Sequence, residues 1–319
     1  LRLRLPFNIT NVVGETRDDR GRRAILFSFV YGNSIDLTSL PGDDPVLDSI
    51  AKATAAVHAL PIEMVETAGL PQYSPQESIR LKVSELDRAA QTGKIPPKLL
   101  QRWETAFEDV ALFKYQPCVV HGDLNSDHVL ETEGQVSGLL DFSNLKVGDP
   151  AEDLSWVVGA HNPDAAYAVL LDYQNYRQLT DPFLRPRAQL YSELEVASWL
   201  LYGFNTKDQD IVRDAVELLE ELVNDLDAGA LPQLTSTPVA TPVASAEPTF
   251  TAPMPVIAMA DEPLPMPVVD EPAIEYSMQN DESDASEAVA SEPEPQDIND
   301  LPAFLFGEDD KDKKDNELF

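Results

Sequence analysis

The chain has 319 residues, 56 of them acidic and 23 basic, and a formal net charge of −33 at pH 7. This excess of negative charge argues against binding to nucleic acid or to an anionic membrane, because both require a basic face. The sequence holds no apolar run near the roughly 18 residues of a membrane span and no signal-peptide pattern. Its single cysteine, Cys118, excludes an internal disulfide, and we expect a cytoplasmic protein.

Two β-strands are the first predicted elements. The run LRLRLPFNITNVVGE alternates apolar and polar residues, and RRAILFSFVYG is rich in β-branched and aromatic residues. The turn sequence Asp18–Gly21 between them predicts an antiparallel hairpin. Tyr31 and Gly32 end the second strand.

Helices are predicted after the hairpin. Apolar residues recur between Val46 and Val57 at the 3.6-residue spacing of one buried helix face. Ser74, with Glu77 three places further on, has the capping-box pattern that begins a helix. We predict helices over residues 45–60, 74–90 and 96–113.

A short β-rich stretch interrupts the helical part. Strands are predicted at PCVVH, HVLE and VSGLLDF, which lie between residues 117 and 142. Four more helices are predicted: one from about Asp149, and others over 164–176, 182–204 and 208–226. The class is therefore α+β, with a β-rich beginning and a mostly helical body.

The C-terminal part differs from the rest in composition. Residues 229–319 hold 13 of the 26 prolines, no tryptophan, and long stretches of Ala, Ser, Thr, Glu and Asp. Such a segment cannot bury enough apolar surface to offset the entropy of ordering it, so we predict a disordered acidic tail. The closing run FLFGEDDKDKKDNELF is either a docking segment for an unknown protein partner or chance composition.

Three polar residues in the β-rich stretch have a spacing that phosphoryl transfer requires. Asp123 directly follows a strand, His128 opens the next strand five residues on, and Asp141 ends the apolar run VSGLL. A carboxylate at Asp123 can orient an acceptor hydroxyl and take its proton, while Asp141 and His128 can hold Mg²⁺. The alternatives are surface carboxylates at both aspartates and an ordinary strand residue at His128.

The same stretch resembles the aminoglycoside phosphotransferase family. That family has a catalytic loop HGDLxxxN, an IDF-type metal motif and a GDPxxDL helix start, and here the three read HGDLNSDH, LLDF and GDPAEDL. The histidine at the Asn position is similar to the macrolide phosphotransferase branch. The resemblance extends from the hairpin through AVHALP to about residue 225.

The resemblance implies a fold, cofactors and residue roles. The fold would be protein-kinase-like and two-lobed, with a partial N-lobe and hinge (1–33), a helical C-lobe (34–228) and the tail (229–319). Mg²⁺ would act with ATP or GTP as phosphoryl donor. Asp123 would be the catalytic base, and His128 and Asp141 the metal ligands. The hinge that meets the nucleotide base would be Phe29, Val30 and Tyr31, and the residues that brace the loop would be His121, Asp149 and Asp153. Asp149 before Pro150 is also a good helix cap.

Candidate substrate-binding residues lie on the two helices after the metal motif. They are carboxylates and aromatic residues that could bind a protonated amino sugar by charge and cation–π contact, namely Asp172, Tyr176, Glu193, Glu195 and Trp199. The alternative is that Trp199 and Tyr202 only pack against each other on one helix face. The acidity of the folded part also suits a cationic small molecule.

One requirement of the family is not met before the hinge. A kinase of this kind needs a lysine on an early strand, a glutamate on the following helix and a loop over the phosphates, but the first lysine here is Lys52. The chain is either a fragment, as its start at Leu1 suggests, or has lost nucleotide chemistry. Three functions stay open: an antibiotic phosphotransferase, a kinase of a sugar or amino alcohol, and a non-catalytic binding protein.

Overall fold

A computed structural model describes residues 5–236 of the chain. The strands in this part are β1 (Asn8–Ile9), β2 (Val12–Arg17), β3 (Arg23–Phe27), β4 (Asn33–Ser34), β5 (Cys118–Val120), β6 (Val129–Thr132), β7 (Gln135–Leu139) and β8 (Lys146–Gly148). The helices are α1 (Pro45–His58), α2 (Ile62–Thr67), α3 (Pro75–Gln91), α4 (Pro97–Glu108), α5 (Ser155–Val158), α6 (Pro163–Arg177), α7 (Leu184–Thr206) and α8 (Gln209–Asp227). The predicted α+β class is confirmed. Of these helices, none has the length and apolar character needed to cross a membrane.

The predicted N-terminal hairpin is present but shorter than expected. Strands β2 and β3 pair antiparallel, and the Asp18 carboxylate accepts hydrogen bonds from the backbone N–H groups of Arg20 and Arg22 in the turn. The side chains of β3 are exposed throughout. The beginning of the first predicted strand instead forms β1, which pairs in parallel with β7, and the Asn8 side-chain amide donates to the Ser137 carbonyl.

A four-stranded sheet joins the N-terminal segment to the β-rich stretch. Its strand order is β1-β7-β6-β4, so the β6–β7 hairpin lies between two strands that come from the first 34 residues. A separate antiparallel pair joins β5 to β8. Cys118 is buried in β5, as its apolar surroundings predict.

The helical body encloses one main core. Helix α1 packs along α6, and α7 packs along α8 and α5. The capping box at Ser74 is confirmed, since its hydroxyl accepts from the Glu77 N–H and the Glu77 carboxylate accepts from the Ser74 N–H. Trp103 of α4 is fully buried in this core.

Several boundaries differ from the prediction. Helix α4 ends at Glu108 because Asp109 leaves the helical conformation and its carboxylate accepts from the N–H groups of Ala111 and Leu112. The helix expected from about Asp149 is a 3-10 turn over Glu152–Leu154 followed by the four-residue α5. Helix α2 and strand β8 are too short to give a periodic pattern and were not predicted.

The described chain continues past the boundary predicted at residue 228. Leu234 is buried in the main core, and the Pro232 carbonyl accepts a hydrogen bond from Arg102 on α4. The Ser236 N–H and hydroxyl both donate to the Asp109 carboxylate. The division of the chain into 1–33, 34–228 and 229–319 stays a prediction, and the tail from residue 237 lies outside the described residues.

Candidate active site

The loop after β5 carries Asp123. Gly122 has a φ of +82° and lies against the Asn144 backbone, where an added β-carbon would be 2.5 Å from the Asn144 carbonyl oxygen. Only glycine fits both conditions without strain. The loop therefore turns sharply after His121 and leaves the Asp123 side chain 44% exposed.

The structure brings together the three residues of the predicted catalytic motif. One ligand atom from each of Asp123, His128 and Asp141 lies within 4.8 Å of the others. His128 Nδ1 is 3.8 Å from an Asp123 carboxylate oxygen, and His128 Nε2 is 4.0 Å from an Asp141 carboxylate oxygen.

The hydrogen bonds of His128 fix its orientation. Nδ1 lies 2.6 Å from the Asp123 backbone carbonyl oxygen, so we assign the ring proton to Nδ1. With this tautomer, the lone pair of Nε2 lies on the side of Asp141, which is the arrangement of a histidine that binds a metal through Nε2.

Asp141 has the properties of an ionised ligand. It takes a left-handed conformation with φ of +54°, which aspartate tolerates better than most residues. Hydrogen bonding to Ser143, with a smaller contribution from His128, lowers its pKa. Two carboxylates and an imidazole lone pair that converge in this way fit a divalent cation.

Asp153 braces the catalytic loop directly. It is fully buried, and its carboxylate accepts hydrogen bonds from the backbone N–H groups of His121 and Gly122, both at 2.7 Å. Its third partner is His58 at the end of α1, with Nε2 at 2.9 Å. His58 Nδ1 lies 2.7 Å from the Tyr173 hydroxyl.

The sequence analysis did not single out His58. Its role depends on Asp153, which is 95 positions away, and the only signal was a histidine in the AVHALP run. Burial alone would lower the pKa of His58, but Cys118, Tyr173 and the hydrogen bond to Asp153 raise it well above its usual value. Burial would raise the pKa of Asp153, but His58 and the loop hold it below the usual value. We therefore treat His58 and Asp153 as a buried ion pair.

His121 lies beneath the site with its ring fully buried. Nε2 is 2.8 Å from the Leu140 carbonyl oxygen, and the ring contacts Phe142. Burial lowers the pKa of His121, so the ring is neutral and donates from Nε2. It joins the loop to the residue before Asp141, which is a bracing geometry.

The contacts of Asp149 differ from those predicted for a residue that braces the catalytic loop. Its carboxylate accepts from the Ala151 N–H, which is the predicted capping bond, and pairs with Arg187 in two hydrogen bonds of 2.8 and 3.2 Å. It also accepts from the Tyr191 hydroxyl. Burial raises the pKa of Asp149, although Arg187 lowers it. The residue therefore anchors α7 to the start of the 3-10 turn, and Asp153 holds the loop.

A large cleft opens beside Asp123. Its volume is about 1030 Å³, and it is lined by the segment after β4, the catalytic loop, and parts of α3, α5 and α7. Carboxylates on its wall include Asp36, Glu85, Glu152 and Glu195. Desolvation of the Glu195 carboxylate by the surrounding protein raises its pKa, as do the carboxylates of Glu85 and Glu152, while Lys82 lowers it.

Glu195 is the one predicted substrate residue that lines this cleft in the described chain. Glu193 points the other way: it is 1% exposed and forms a two-bond ion pair with Arg102 and a hydrogen bond with the Trp103 indole N–H. This placement corrects the prediction, because the Glu193 carboxylate is already occupied in the core.

The other predicted substrate residues also lie away from the cleft. The Trp199 indole N–H donates to Asp214 on α8 and its ring stacks on Tyr202, so the packing alternative holds for both. The Tyr176 hydroxyl donates to Asp48 on α1, and Asp172 on the same helix is absent from the cleft wall. These placements correct the prediction for Asp172, Tyr176 and Trp199, because the side-chain direction on a helix was not fixed by sequence spacing.

Trp156 of α5 is the tryptophan that does line the cleft. Its indole N–H has no hydrogen-bond partner within the described residues. The residue stands in the run GDPAEDLSW that carries the metal-motif resemblance, yet sequence reasoning favoured Trp199 because of its neighbouring acids. An aromatic face beside carboxylates is a good contact for an ammonium group.

The segment directly after the predicted hinge runs close to the catalytic loop. Strand β4 pairs with β6, and the Ile35 N–H donates to the Ser126 carbonyl. Phe29 and Tyr31 are exposed and touch each other edge to face, with ring centroids 4.8 Å apart. Val30 is buried, and its side chain lies against Gly138. The hinge role of these residues stays a prediction.

A sequence model of the phosphotransferase enzyme family (APH) matches residues 7–191, more than half of the chain. Two curated proteins match a shorter stretch. The uncharacterized protein YcbJ of Bacillus subtilis is 26% identical over 114 residues, which are 35% of this chain and 37% of that protein. An aminoglycoside 3′-phosphotransferase of Escherichia coli is 28% identical over 116 residues, 34% of this chain and 41% of that protein. The chain thus spans about two fifths of the length of these relatives.

Solved structures resemble the described fold over a longer stretch. A macrolide 2′-phosphotransferase type I has a TM-score of 0.60 at 24% identity, covering 68% of this chain and 74% of that chain. The macrolide 2′-phosphotransferase MphH of Brachybacterium faecium has a TM-score of 0.58 at 20% identity, covering 67% and 74%. The GDP and kanamycin complex of APH(2″)-IIIa has a TM-score of 0.58 at 23% identity, covering 68% and 76%. These likenesses show the protein-kinase-like fold of such phosphotransferases.

Proposed function

Because the chain belongs to the phosphotransferase enzyme family, we propose that it transfers the terminal phosphoryl group of ATP or GTP to a hydroxyl of a cationic small molecule, with a macrolide as the first candidate. The observation that carries the proposal is the convergence of Asp123, His128 and Asp141 at the edge of the acidic cleft.

Asp123 is the catalytic base in this proposal. It is exposed, and it lies on both the cleft wall and the three-residue cluster. It orients the acceptor hydroxyl and takes its proton as the hydroxyl oxygen bonds to phosphorus and the nucleoside diphosphate leaves. The brace from Asp153 and His58 holds the loop so that this carboxylate keeps its position.

Asp141 and His128 would hold Mg²⁺, with Asp123 at its edge. The ionised carboxylate of Asp141 and the Nε2 lone pair of His128 face each other. When bound, Mg²⁺ would neutralise the charge that develops on the phosphate oxygens. The predicted hinge, Phe29 to Tyr31, would meet the nucleotide base.

The cleft favours a large cationic acceptor over a small amino alcohol. Its volume, about 1030 Å³, is slightly above the roughly 300–1,000 Å³ typical of sites for drug-sized ligands. Trp156 and Glu195 on its wall suit an ammonium group. Solved relatives of the fold include macrolide phosphotransferases and a complex with kanamycin, which supports antibiotics as the first substrates to test.

The test is phosphate transfer from radiolabelled ATP or GTP with Mg²⁺, over a panel of macrolides, aminoglycosides, sugars and amino alcohols. We expect transfer to a macrolide, lost by at least about 100-fold in Asp123→Asn, the scale of a general base. The matched control is Asp127→Asn, an exposed aspartate of the same loop, which should keep wild-type transfer. Unchanged transfer in Asp123→Asn would contradict the assigned base. No transfer and no nucleotide binding by the wild type would favour a binding protein.

A further inference from the structure

Lys82 is a cation in an acidic cleft. It lies on α3, and its side chain lines both the large cleft and a neighbouring cavity of about 280 Å³. Glu85 and Glu152 line the same two cavities. Lys82 therefore stands where the two cavities meet.

The Lys82 ammonium is surrounded by carboxylates without a direct partner. Within residues 5–236, no carboxylate oxygen is within 4.0 Å of it, whereas the neighbouring Lys146 pairs with Glu152 at 2.8 Å. The Lys82 nitrogen lies over the Tyr191 ring, 5.6 Å from its centroid. Lys146 thus forms a direct ion pair with Glu152, whereas Lys82 interacts with the surrounding carboxylates only over distances longer than 4.0 Å.

Lys82 stays charged at neutral pH. Burial alone would lower its pKa, but Glu152, Glu195 and Glu85 raise it above the ordinary value. Within the described part of the chain, the Glu85 carboxylate accepts one hydrogen bond, from the Ser198 hydroxyl at 2.9 Å. The Glu195 carboxylate has no hydrogen bond or ion pair to any residue that the structure describes.

Glu85 and Glu195 thus lie on the same cleft wall as the Lys82 ammonium, whose charge reduces the attraction of this wall for further positive charge. We infer that Lys82 is a specificity-determining residue: its charge shifts the preference of the cleft away from ligands with several ammonium groups and toward ligands with one. The inference rests on the proposed function of the cleft as the acceptor site. A second ammonium on the ligand would meet the repulsion of Lys82.

The size of the effect follows from the charge. The Lys82 ammonium and a second ammonium on the ligand repel each other when they lie several ångströms apart in a partly desolvated cleft. Each additional ligand charge brought close to Lys82 should weaken the affinity for that ligand about tenfold. Salt weakens this repulsion because its screening length at 0.15 M is about 8 Å. A ligand whose single ammonium group is bound by Glu195 experiences only part of the repulsion from Lys82.

Binding, measured by calorimetry without nucleotide, tests the inference independently of catalysis. The full chain is titrated with kanamycin, which carries several amino groups, and with erythromycin, which carries one dimethylamino group. The variants are Lys82→Met, which removes the charge, and Lys82→Arg, which keeps it. Lys52→Met is the matched control, because Lys52 is exposed on α1 and away from the cleft.

We expect Lys82→Met to bind kanamycin at least about tenfold more tightly than the wild type and to change erythromycin affinity by less than about threefold. The gain should shrink at 0.5 M NaCl, and Lys82→Arg and Lys52→Met should resemble the wild type. Equal changes for both ligands, or no gain for kanamycin, would overturn the inference. No kanamycin binding to Lys82→Met would overturn it too. Failure of the proposed function looks different: the ligands bind, but no variant transfers phosphate.

Discussion

Replacing Asp153 by asparagine tests how the catalytic loop is held in place. The carboxylate accepts from His58 Nε2 at 2.9 Å and from the backbone N–H groups of His121 and Gly122 at 2.7 Å. Asparagine has nearly the same shape, but one of its two terminal atoms is a donor. If the amide oxygen replaces the atom that serves His121 and His58, the amide nitrogen faces the Gly122 N–H.

The cost follows from these contacts. A hydrogen bond to a charged group contributes about 1.5–3 kcal/mol, and a buried donor left without a partner costs about 1–3 kcal/mol. Losing the Gly122 bond and the charge that pairs with His58 should lower the free energy of unfolding by about 3–5 kcal/mol, the range for breaking a buried ion pair. The melting temperature should fall by roughly 10 °C for a body of this size.

Urea unfolding followed by tryptophan fluorescence measures the change. The control is Asp43→Asn, an exposed aspartate before α1, which should stay within about 0.5 kcal/mol of the wild type. Phosphate transfer by the folded fraction of Asp153→Asn should also fall, because the loop that carries Asp123 is released. A loss of less than about 1 kcal/mol with full transfer would refute the brace.

Three further predictions concern residues that support the site. His58→Gln should remove a pH dependence of the wild-type free energy of unfolding. In the wild type, the contribution of His58 to this free energy is complete below the ordinary histidine pKa of about 6.5. It falls by up to about 1.4 kcal/mol per pH unit as the pH rises toward the higher pKa of folded His58, because His58 in the unfolded chain releases its proton first. Glu193→Gln should cost about 3–5 kcal/mol in urea unfolding through the buried Arg102 pair, yet leave the acceptor KM unchanged. Gly138→Ala should cost about 1–3 kcal/mol, because a β-carbon there would collide with Val30.

Each of these has a contradicting result. A wild-type stability that does not decline between pH 6.5 and 9 would rule out a protonated His58 in the fold. A several-fold higher acceptor KM in Glu193→Gln would mean that Glu193 contributes to acceptor binding. Wild-type stability of Gly138→Ala would mean that Val30 can move aside freely.

The clustering of Asp123, His128 and Asp141 was predictable because the three residues lie in one short stretch of the sequence. Each lies at or next to the end of a strand, and the strands themselves carry apolar runs. The capping box at Ser74 was readable for the same reason, since all its atoms lie within one helical turn.

The remaining site depended on contacts that spacing does not reveal. Helical periodicity placed Glu193 and Glu195 on α7, but two residues apart they point to different sides, one to Arg102 and the other to the cleft. His58 and Lys82 have roles set by partners on other elements. Long-range pairing decides such roles, and a single sequence gives no measure of it.

The strand order of the four-stranded sheet has a consequence for synthesis on the ribosome. Asn8 forms a hydrogen bond with Ser137, which lies 129 positions later in the chain. Tyr31 forms a hydrogen bond with the same serine, 106 positions later. Closing a loop of that length costs about 4 kcal/mol of chain entropy. At roughly 5–20 residues per second, the N-terminal strands wait on the order of 6 to 26 s for their partners to be made. Apolar side chains such as Leu26 and Phe27 are exposed even in the folded chain, so the nascent hairpin presents an unpaired, apolar strand edge throughout this wait.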